Sequence, residues 1–336
     1  MVRQILLAGL VLLAVTACAS ADQAESMIPP ASEVVTDRVE EREDTLEAYT
    51  VDTKISDVIR DPAFGGCGRL IFPVEREYYS GSTLGDLRLT WYHNIDPDKT
   101  VEIANYMKER AQNGETIFYE IYTEEEKAAD PAKADTGLFF FKGEPGAKFA
   151  VCNAGGAFAY VGAMQDSFPH ALELSRKGYN AFALIYRPGA QTACEDLARA
   201  ITFIFEHGSE LEVDTDCYSL WGGSAGARMA AWLGSYGSGA FGGGDLPRPG
   251  TVVMQYTGLS EYTPNDPPTY VCVGDSDGIA SWRTMQRRLE AMSALGIETE
   301  FHVYEGLGHG FGLGAGTAAE GWIDDAAAFW EAQMQG

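Results

Sequence analysis

Residues 217–231 have the sequence CYSLWGGSAGARMAA, and this stretch decides the fold of the chain. Residues 218–221 form an apolar run typical of a short buried strand, and residues 225–232 are small and compatible with a helix. The five residues from Gly222 to Gly226 must therefore turn sharply between the two, and they fit the pattern G-x-S-x-G. Such a turn presents the hydroxyl of Ser224 clear of its own backbone, as a weak nucleophile requires. The backbone N–H of Ala225 then lies at a helix start, where it can stabilise an oxyanion.

The segments around this turn alternate between strand-like and helix-like patterns. Strands are predicted at 148–153, 179–186, 251–256, 269–274 and 300–304, and helices at 167–178, 192–208, 281–296 and 318–333. Strands joined by crossover helices indicate an α/β fold with a doubly wound, mostly parallel sheet. Strand-like segments at 84–92, 116–122 and 137–141 predict an antiparallel edge before this core. We therefore expect a single domain at 61–336, with the N-terminal edge at 61–147 and the core at 148–336.

The first residues, MVRQILLAGLVLLAVTACAS, predict an export signal. They combine a basic start, an apolar stretch too short to span a membrane, and small residues before Cys18. Residues 15–18 resemble the lipobox of bacterial lipoproteins, which implies that residues 1–17 are removed and that Cys18 is lipidated at the cell envelope. Ordinary cleavage at a nearby alanine, which would release a soluble secreted protein, stays open. Residues 18–60, acidic and without clear periodicity, are expected to form a lipid-attached tether.

The charge of the chain limits its partners. The formal net charge is -25 and the sequence pI is about 4.4. A nucleic acid or an anionic membrane surface would be repelled, so we expect a neutral or cationic ligand, and membrane contact only through a lipid at Cys18. The six cysteines include no C-x-x-C spacing and no Cys/His cluster, so no metal site is predicted. Cys67 and Cys194 could pair in an oxidising compartment, which the sequence leaves open.

Two loops that follow predicted strands supply possible partners for Ser224. Asp275 and Asp277 follow the strand at 269–274, and His309 follows the strand at 300–304 in a glycine-rich loop. Parallel strands end at one edge of a sheet, so these side chains are expected to meet there. The chain order Ser, Asp, His suits a nucleophile, its orienting acid and its base. Asp277 is preferred to Asp275, which could cap the turn itself, because Asp277 lies farther into the loop beside Gly278.

A third loop, AGGAF at residues 154–158, follows the strand at 148–153. Its backbone N–H groups, chiefly those of Gly156 and Ala157, could join that of Ala225 in an oxyanion hole. The same loop could equally be a simple tight connection between a strand and a helix.

Taken together, these segments resemble the α/β-hydrolase superfamily, and within it serine esterases of the acetyl-xylan-esterase-like, feruloyl-esterase-like and hormone-sensitive-lipase-like kinds. The segments that carry the resemblance are AGGAF at 154–158, ALIYRP at 183–188, EDLARAITF at 195–203, GGSAGA at 222–227, PPTYVCVGDSDG at 267–278 and GLGHGFGLG at 306–314. The chain departs from the family's His-Gly-Gly-Gly signature, because Ala154 replaces the histidine and Ala157 the last glycine. Gly278 follows the acid where proline is frequent.

The resemblance and the residues imply one activity, the hydrolysis of carboxylic esters through an acyl-enzyme on Ser224, without a metal or an organic cofactor. The short connection between the strands at 251–256 and 269–274 predicts an open cleft suited to short acyl groups such as acetyl. A neutral substrate such as an acylated carbohydrate would suit an exported acidic enzyme. Two alternatives stay open, namely a peptidase of the same fold and a cell-envelope lipoprotein that binds ligands without turnover.

Overall fold

The computed structural model describes residues 48–92 and 95–335, which pack around one hydrophobic core. The expected export signal at 1–17, the lipidation site Cys18 and most of the expected tether lie outside the described residues. In the described part of the chain, no helix is both long and apolar enough to span a bilayer.

The main sheet has eight strands in the described residues. They are β3 (Phe118–Tyr119), β4 (Gly137–Phe141), β5 (Lys148–Asn153), β6 (Asn180–Ile185), β7 (Asp214–Gly223), β8 (Thr251–Gln255), β9 (Thr269–Gly274) and β10 (Thr299–Tyr304). Their order across the sheet is β10-β9-β8-β7-β5-β6-β4-β3. All neighbours are parallel except β4 with β6 and β3 with β4, which are antiparallel. The doubly wound, mostly parallel sheet with an antiparallel N-terminal edge is therefore confirmed.

Helices cover both faces of this sheet. They are α1 (Ile55–Arg60), α2 (Pro97–Gln112), α3 (Glu124–Ala129), α4 (Ala163–Asp166), α5 (Phe168–Arg176), α6 (Ala190–Glu206), α7 (Ala225–Tyr236), α8 (Trp282–Ala294) and α9 (Trp322–Gln333). Helices α5 and α9 contact each other, and α6 contacts α7. Both faces of the sheet are covered, and accordingly β6, β8 and β9 are near-continuous apolar runs, such as NAFALI in β6, and are fully buried.

The N-terminal part corrects two sequence-based expectations. Helix α1 buries Ile55 and Val58 in the core, so the tether boundary expected at residue 60 lies too late in the chain. The strand predicted at 84–92 is reduced to β2 (Arg88–Leu89), which pairs only with β1 (Tyr79–Ser80). Its alternating apolar residues are buried, yet turns interrupt the backbone, as at Tyr92, whose N–H donates to the Leu89 carbonyl.

The cysteines of the described residues are free. Cys67 lies in a 3-10 helix (Cys67–Ile71) and Cys194 is buried in α6, so the pairing that the sequence left open is not formed. Burial raises the pKa of the Cys67 thiol to about 11, which keeps this thiol protonated at neutral pH.

The connection from β8 to β9 has no helix, although the two strands are parallel neighbours. Residues 256–268 return to the start of β9 in irregular and turn conformations, after β8 has ended at the carboxyl edge of the sheet. This edge also carries the loops after β5, β7, β9 and β10, and it is where the candidate side chains converge.

Candidate active site

Ser224 occupies a strained turn between β7 and α7. Its backbone angles, φ 52° and ψ -112°, are unusual for a residue other than glycine. The flanking glycines are sterically required: a Cβ on Gly226 would lie 2.0 Å from the Asn153 carbonyl oxygen, and one on Gly222 would lie 2.3 Å from the backbone of Gly226. The Ser224 N–H donates to the Gln255 carbonyl at 3.0 Å, which ties the turn to β8. Close packing of β5, β7 and α7 thus forces the hydroxyl outward.

The structure brings Ser224, His309 and Asp277 together. His309 Nε2 lies 2.9 Å from Ser224 Oγ, and His309 Nδ1 lies 2.8 Å from Asp277 Oδ2. The side chain of Asp277 is completely buried and that of His309 is 8% exposed, so water does not compete for these hydrogen bonds. This geometry orients the imidazole so that Nδ1–H donates to the carboxylate and Nε2 faces the hydroxyl.

The two aspartates after β9 have different partners. Asp277 Oδ1 accepts from the N–H groups of Ile279 and Ala280 at 2.7 and 2.8 Å, which leaves Oδ2 for His309. Asp275 Oδ1 instead accepts from the Gly306 N–H at 2.8 Å and so ties the loop after β9 to the loop after β10. Asp277, rather than Asp275, is therefore the aspartate in contact with the imidazole.

Several backbone carbonyls of the loop at 154–158 accept hydrogen bonds from neighbouring residues. The Ala154 carbonyl accepts from the Tyr186 hydroxyl at 2.6 Å, and the Gly155 carbonyl accepts from the Gly162 N–H at 2.9 Å. The Gly156 carbonyl accepts from the N–H groups of residues 159 and 160. Among the hydrogen bonds of the described residues, none is donated by the N–H of Gly156 or Ala157.

This loop lies directly against the nucleophile. A Cβ on Gly155 would stand 2.9 Å from Ser224 Cβ. Gly156 has φ 128°, and Ala157 and Phe158 follow with φ 55° and 58°, so the loop holds three successive residues at positive φ. Strain of this kind persists only where the surrounding structure enforces it, and it is frequent at functional sites. Two N–H groups without partners, next to Ser224 and near Ala225, form a candidate oxyanion hole.

Three buried polar residues behind the site were not predicted from the sequence. Asp166 accepts from the Tyr92 hydroxyl at 2.6 Å, from the Gly155 N–H at 3.0 Å and, on its other oxygen, from the Tyr256 hydroxyl. Burial, reinforced by the charge of Asp166, raises the pKa of both tyrosines well above the usual value, so both remain donors. The only sequence signal was an aspartate within the otherwise largely apolar stretch 158–174.

An aromatic cluster lies beside the same loops. Tyr160 stacks on Tyr78 and on Trp91, with ring centroids 4.9 and 5.8 Å apart. Trp91 is 43% exposed and has φ 71°. Its carbonyl oxygen would lie 3.7 Å from a Cβ on Gly310, the residue after His309. The backbone of Trp91 therefore lies close to the loop that carries His309.

Metal ligation has no candidate in the described residues. Within residues 48–92 and 95–335, no three His, Cys, Asp or Glu side chains are placed to hold a metal ion.

Comparisons with known proteins agree with this fold. Residues 142–242 match the model of the BD-FAE family, and this segment contains the loop at 154–158 and Ser224. A search of curated proteins finds no match.

Three solved structures illustrate the structural similarity. MGS-M1, an α/β hydrolase enzyme from a Medee basin deep-sea metagenome library, shares 20% identity with a TM-score of 0.51, over 60% of this chain and 93% of that one. The acetyl ester-xyloside bifunctional hydrolase from Caldicellulosiruptor lactoaceticus shares 19% identity with a TM-score of 0.55, over 64% and 95%. The propionate-bound esterase Est2 from the Planctomycetes species Thermogutta terrifontis shares 19% identity with a TM-score of 0.52, over 64% and 93%. The chain is therefore a protein of the α/β-hydrolase fold, and the segment around its candidate nucleophile is similar to the BD-FAE family.

Proposed function

We propose that this protein is a serine carboxylic-ester hydrolase. One observation carries the proposal: Ser224 Oγ, His309 and Asp277 form a continuous chain of hydrogen bonds with separations of 2.9 and 2.8 Å. His309 Nε2 takes the hydroxyl proton as Ser224 Oγ attacks the ester carbonyl. Asp277 keeps Nδ1 protonated and stabilises the imidazolium that forms.

The remaining steps use the same groups in reverse. The carbonyl oxygen becomes an oxyanion, which the N–H groups of Ala225 and of Gly156 or Ala157 stabilise. The tetrahedral intermediate collapses, His309 gives its proton to the departing alkoxide, and an acyl-enzyme is left on Ser224. Water, activated by His309, then releases the carboxylic acid and restores the hydroxyl.

We further propose a short acyl group, such as acetyl, on a neutral substrate such as an acylated carbohydrate. The helix-free connection between β8 and β9 supports an open cleft. Among the structural neighbours, one is an acetyl ester-xyloside hydrolase and another is an esterase with propionate bound. Trp91 is 43% exposed, and its ring offers a flat apolar surface of the kind on which a sugar ring packs. The net charge of -25 favours a neutral substrate over an anionic one.

The nucleophile is tested with the full chain and p-nitrophenyl acetate. Ser224→Ala is expected to lower kcat by at least about 10⁴-fold, because in the described part of the chain no other hydroxyl is hydrogen-bonded to the His309 imidazole. Ser276→Ala is the matched control, since this serine lies at the same edge of the sheet but is exposed and donates only to Asp275. It is expected to keep wild-type activity.

A second readout in the same experiment is covalent labelling with paraoxon, the compound that phosphorylates the Est2 neighbour. Mass spectrometry of a digest is expected to find the diethyl phosphoryl group on the peptide with Ser224. Hydrolysis at the uncatalysed rate in both proteins, together with no labelled peptide, would leave a protein that binds ligands without turnover. Equal hydrolysis above that rate would place the nucleophile on another residue.

A further inference from the structure

The carboxylate of Asp166 is buried, and removing this group from water costs folding free energy that no ion pair in the described residues offsets. Asp166 is the last residue of α4 and is completely buried. Among the described residues, no lysine or arginine forms an ion pair with it. A carboxylate removed from water without a cation destabilises a fold unless hydrogen bonds replace its hydration. Here three donors do so, and all three belong to segments that form the active site.

The first donor is the oxyanion loop itself. The Gly155 N–H donates to Asp166 Oδ2 at 3.0 Å, while the Gly155 carbonyl accepts from Gly162. Both polar groups of this residue are thus held on the side away from the cleft. The next two N–H groups, of Gly156 and Ala157, donate no hydrogen bond within the described residues and directly follow Gly155, which lies against Ser224. The contact with Asp166 therefore sets the direction in which the candidate oxyanion donors point.

The second contact supports the base. Tyr256 has φ 32° and donates its hydroxyl to Asp166 Oδ1. The edge of its ring meets the imidazole of His309, with ring centroids 5.1 Å apart. A Cβ on Gly223, the residue before the nucleophile, would lie 2.6 Å from Asp166 Oδ2 and 3.0 Å from the Tyr256 ring. The carboxylate of Asp166 thus contacts both Tyr256, which packs against His309, and the turn that carries Ser224.

The third donor completes the connection. The Tyr92 hydroxyl donates to Asp166 Oδ2 at 2.6 Å, and its ring would lie 2.7 Å from a Cβ on Gly310. Gly310 has φ 75° and follows His309 directly, so the loop of the base is packed against a residue that Asp166 holds. The loops of the oxyanion hole, the nucleophile and the base all meet this one carboxylate or its tyrosines.

We propose that Asp166 is a positioning residue for ester hydrolysis: it fixes the Gly155 N–H so that the following N–H groups face the oxyanion, and it fixes Tyr256 against His309. The inference rests on the proposed function. Asp166 does not touch the substrate, and its contribution is to transition-state stabilisation rather than to substrate binding.

The test compares Asp166→Ala and Asp166→Asn in the full chain with p-nitrophenyl acetate. Asp166→Ala removes every acceptor, so kcat is expected to fall about 100-fold while KM changes less than about threefold, as for the loss of an oxyanion donor. The Ki of a trifluoromethyl ketone, which forms an oxyanion on the serine, is expected to rise by the same factor. Asp166→Asn keeps one oxygen for Gly155 but turns its NH₂ toward Tyr256. Losses of about 3- to 30-fold are therefore expected in kcat and in the affinity for the ketone.

Asp196→Ala is the matched control for a merely structural effect. Asp196 is equally buried and accepts from the Tyr122 hydroxyl at 2.7 Å, but it pairs with Arg187 and has no contact with the active site among its hydrogen bonds. This variant is expected to lose thermal stability while its KM, kcat and ketone Ki stay near the wild-type values.

Three results would overturn the proposal. One is a folded Asp166→Ala with wild-type kcat and ketone Ki, and another is an equal loss of kcat in Asp196→Ala. If Asp166→Ala does not fold, Asp166→Asn decides alone, and unchanged kcat and Ki in that variant count against the proposal. Hydrolysis by wild type that does not depend on Ser224 is a separate result: it refutes the proposed function, and the role of Asp166 falls with it.

Discussion

At the scale of single residues, the two aspartates after β9 provide a direct comparison. Asp277→Asn is expected to lower kcat by about 10³- to 10⁴-fold, because an amide in its place no longer holds the tautomer of His309 that accepts from Ser224. Asp275→Asn is expected to cost less than about tenfold, since Asp275 ties two loops together through the Gly306 N–H and does not contact the imidazole. Steady-state kinetics with p-nitrophenyl acetate measures both. A larger loss at Asp275 would exclude Asp277 as the orienting acid.

The sequence was sufficient to predict that Ser224, Asp277 and His309 lie near one another. It was not sufficient to predict the buried residues that pack behind them. Ser224, Asp277 and His309 each follow a predicted strand, and parallel strands end at one edge, so the pattern alone brings them near each other. Asp166 and its tyrosines are partners across separations of 74 and 90 residues. No local pattern encodes a contact between such distant residues, so the network became visible only in the folded chain.

At the scale of elements, the turn between β7 and α7 depends on the absence of a side chain at Gly226. Gly226→Ala is expected to lower both the melting temperature and kcat, the latter at least about 100-fold, because its Cβ would stand 2.0 Å from the Asn153 carbonyl and push α7 away from β5. Gly278→Ala is the control, since a Cβ there meets nothing within 4 Å and its φ is not positive. Thermal unfolding and ester hydrolysis are measured on both. Wild-type kcat in Gly226→Ala would contradict this packing account.

Helix α5 carries a pH-dependent contribution to stability. His170 is buried against Trp322, its Nδ1–H donates to the Asp166 carbonyl, and burial lowers the pKa of its imidazole. A lowered pKa in the folded state means that the unfolded chain binds the proton more readily. Stability is therefore complete above the unfolded pKa, about 6.5, and is lost as the pH falls below it.

The measurement is urea unfolding at pH 7.5 and 5.5. Wild type is expected to lose about 1 kcal/mol more than His170→Phe over this interval, although the variant starts less stable because it lacks the donor. Replacing the exposed His207 with glutamine is the control and should leave the wild-type difference intact. Equal losses in wild type and His170→Phe would show that folding does not lower the pKa of the His170 imidazole.

The core elements were predictable because their apolar runs match strand and helix lengths, and β9 occupies the predicted residues 269–274. The N-terminal elements were not. Residues 84–92 alternate like a strand, but Leu84 donates its N–H to the Thr53 carbonyl and Tyr92 to that of Leu89, so the backbone turns instead of extending. Helix α6 begins at Ala190, two residues before the expected cap at Thr192, since Gly189 with φ 102° starts the turn. Tertiary contacts overrode the local pattern in both places.

At the scale of the whole molecule, export and anchoring remain a proposal that rests on residues 1–18. We expect Cys18 to carry a lipid that holds the acidic protein at the cell envelope, because the preceding residues resemble a lipobox. Metabolic labelling with a radioactive fatty acid in a bacterial host is expected to mark the wild-type chain but not Cys18→Ser. Label on both proteins would place the lipid on a residue other than Cys18. Label on neither protein would favour a secreted soluble protein.

At this scale we also expect the shape of the carboxyl edge to set the length of the acyl chain that the protein accepts. Residues 256–268 cross from β8 to β9 without a helix, so in this part of the described chain nothing supplies an apolar cover for a long acyl tail. Each additional methylene therefore gains little burial, whereas burial in a closed apolar tunnel would be worth about 0.8 kcal/mol per methylene. With p-nitrophenyl acetate, butyrate and octanoate below their aggregation limits, kcat/KM is expected to be at least about tenfold higher for the two short esters than for octanoate. Ser224→Ala, measured on all three esters, removes any hydrolysis that does not pass through the nucleophile. A preference for octanoate would refute the open cleft and would require that another part of the chain closes over the acyl group.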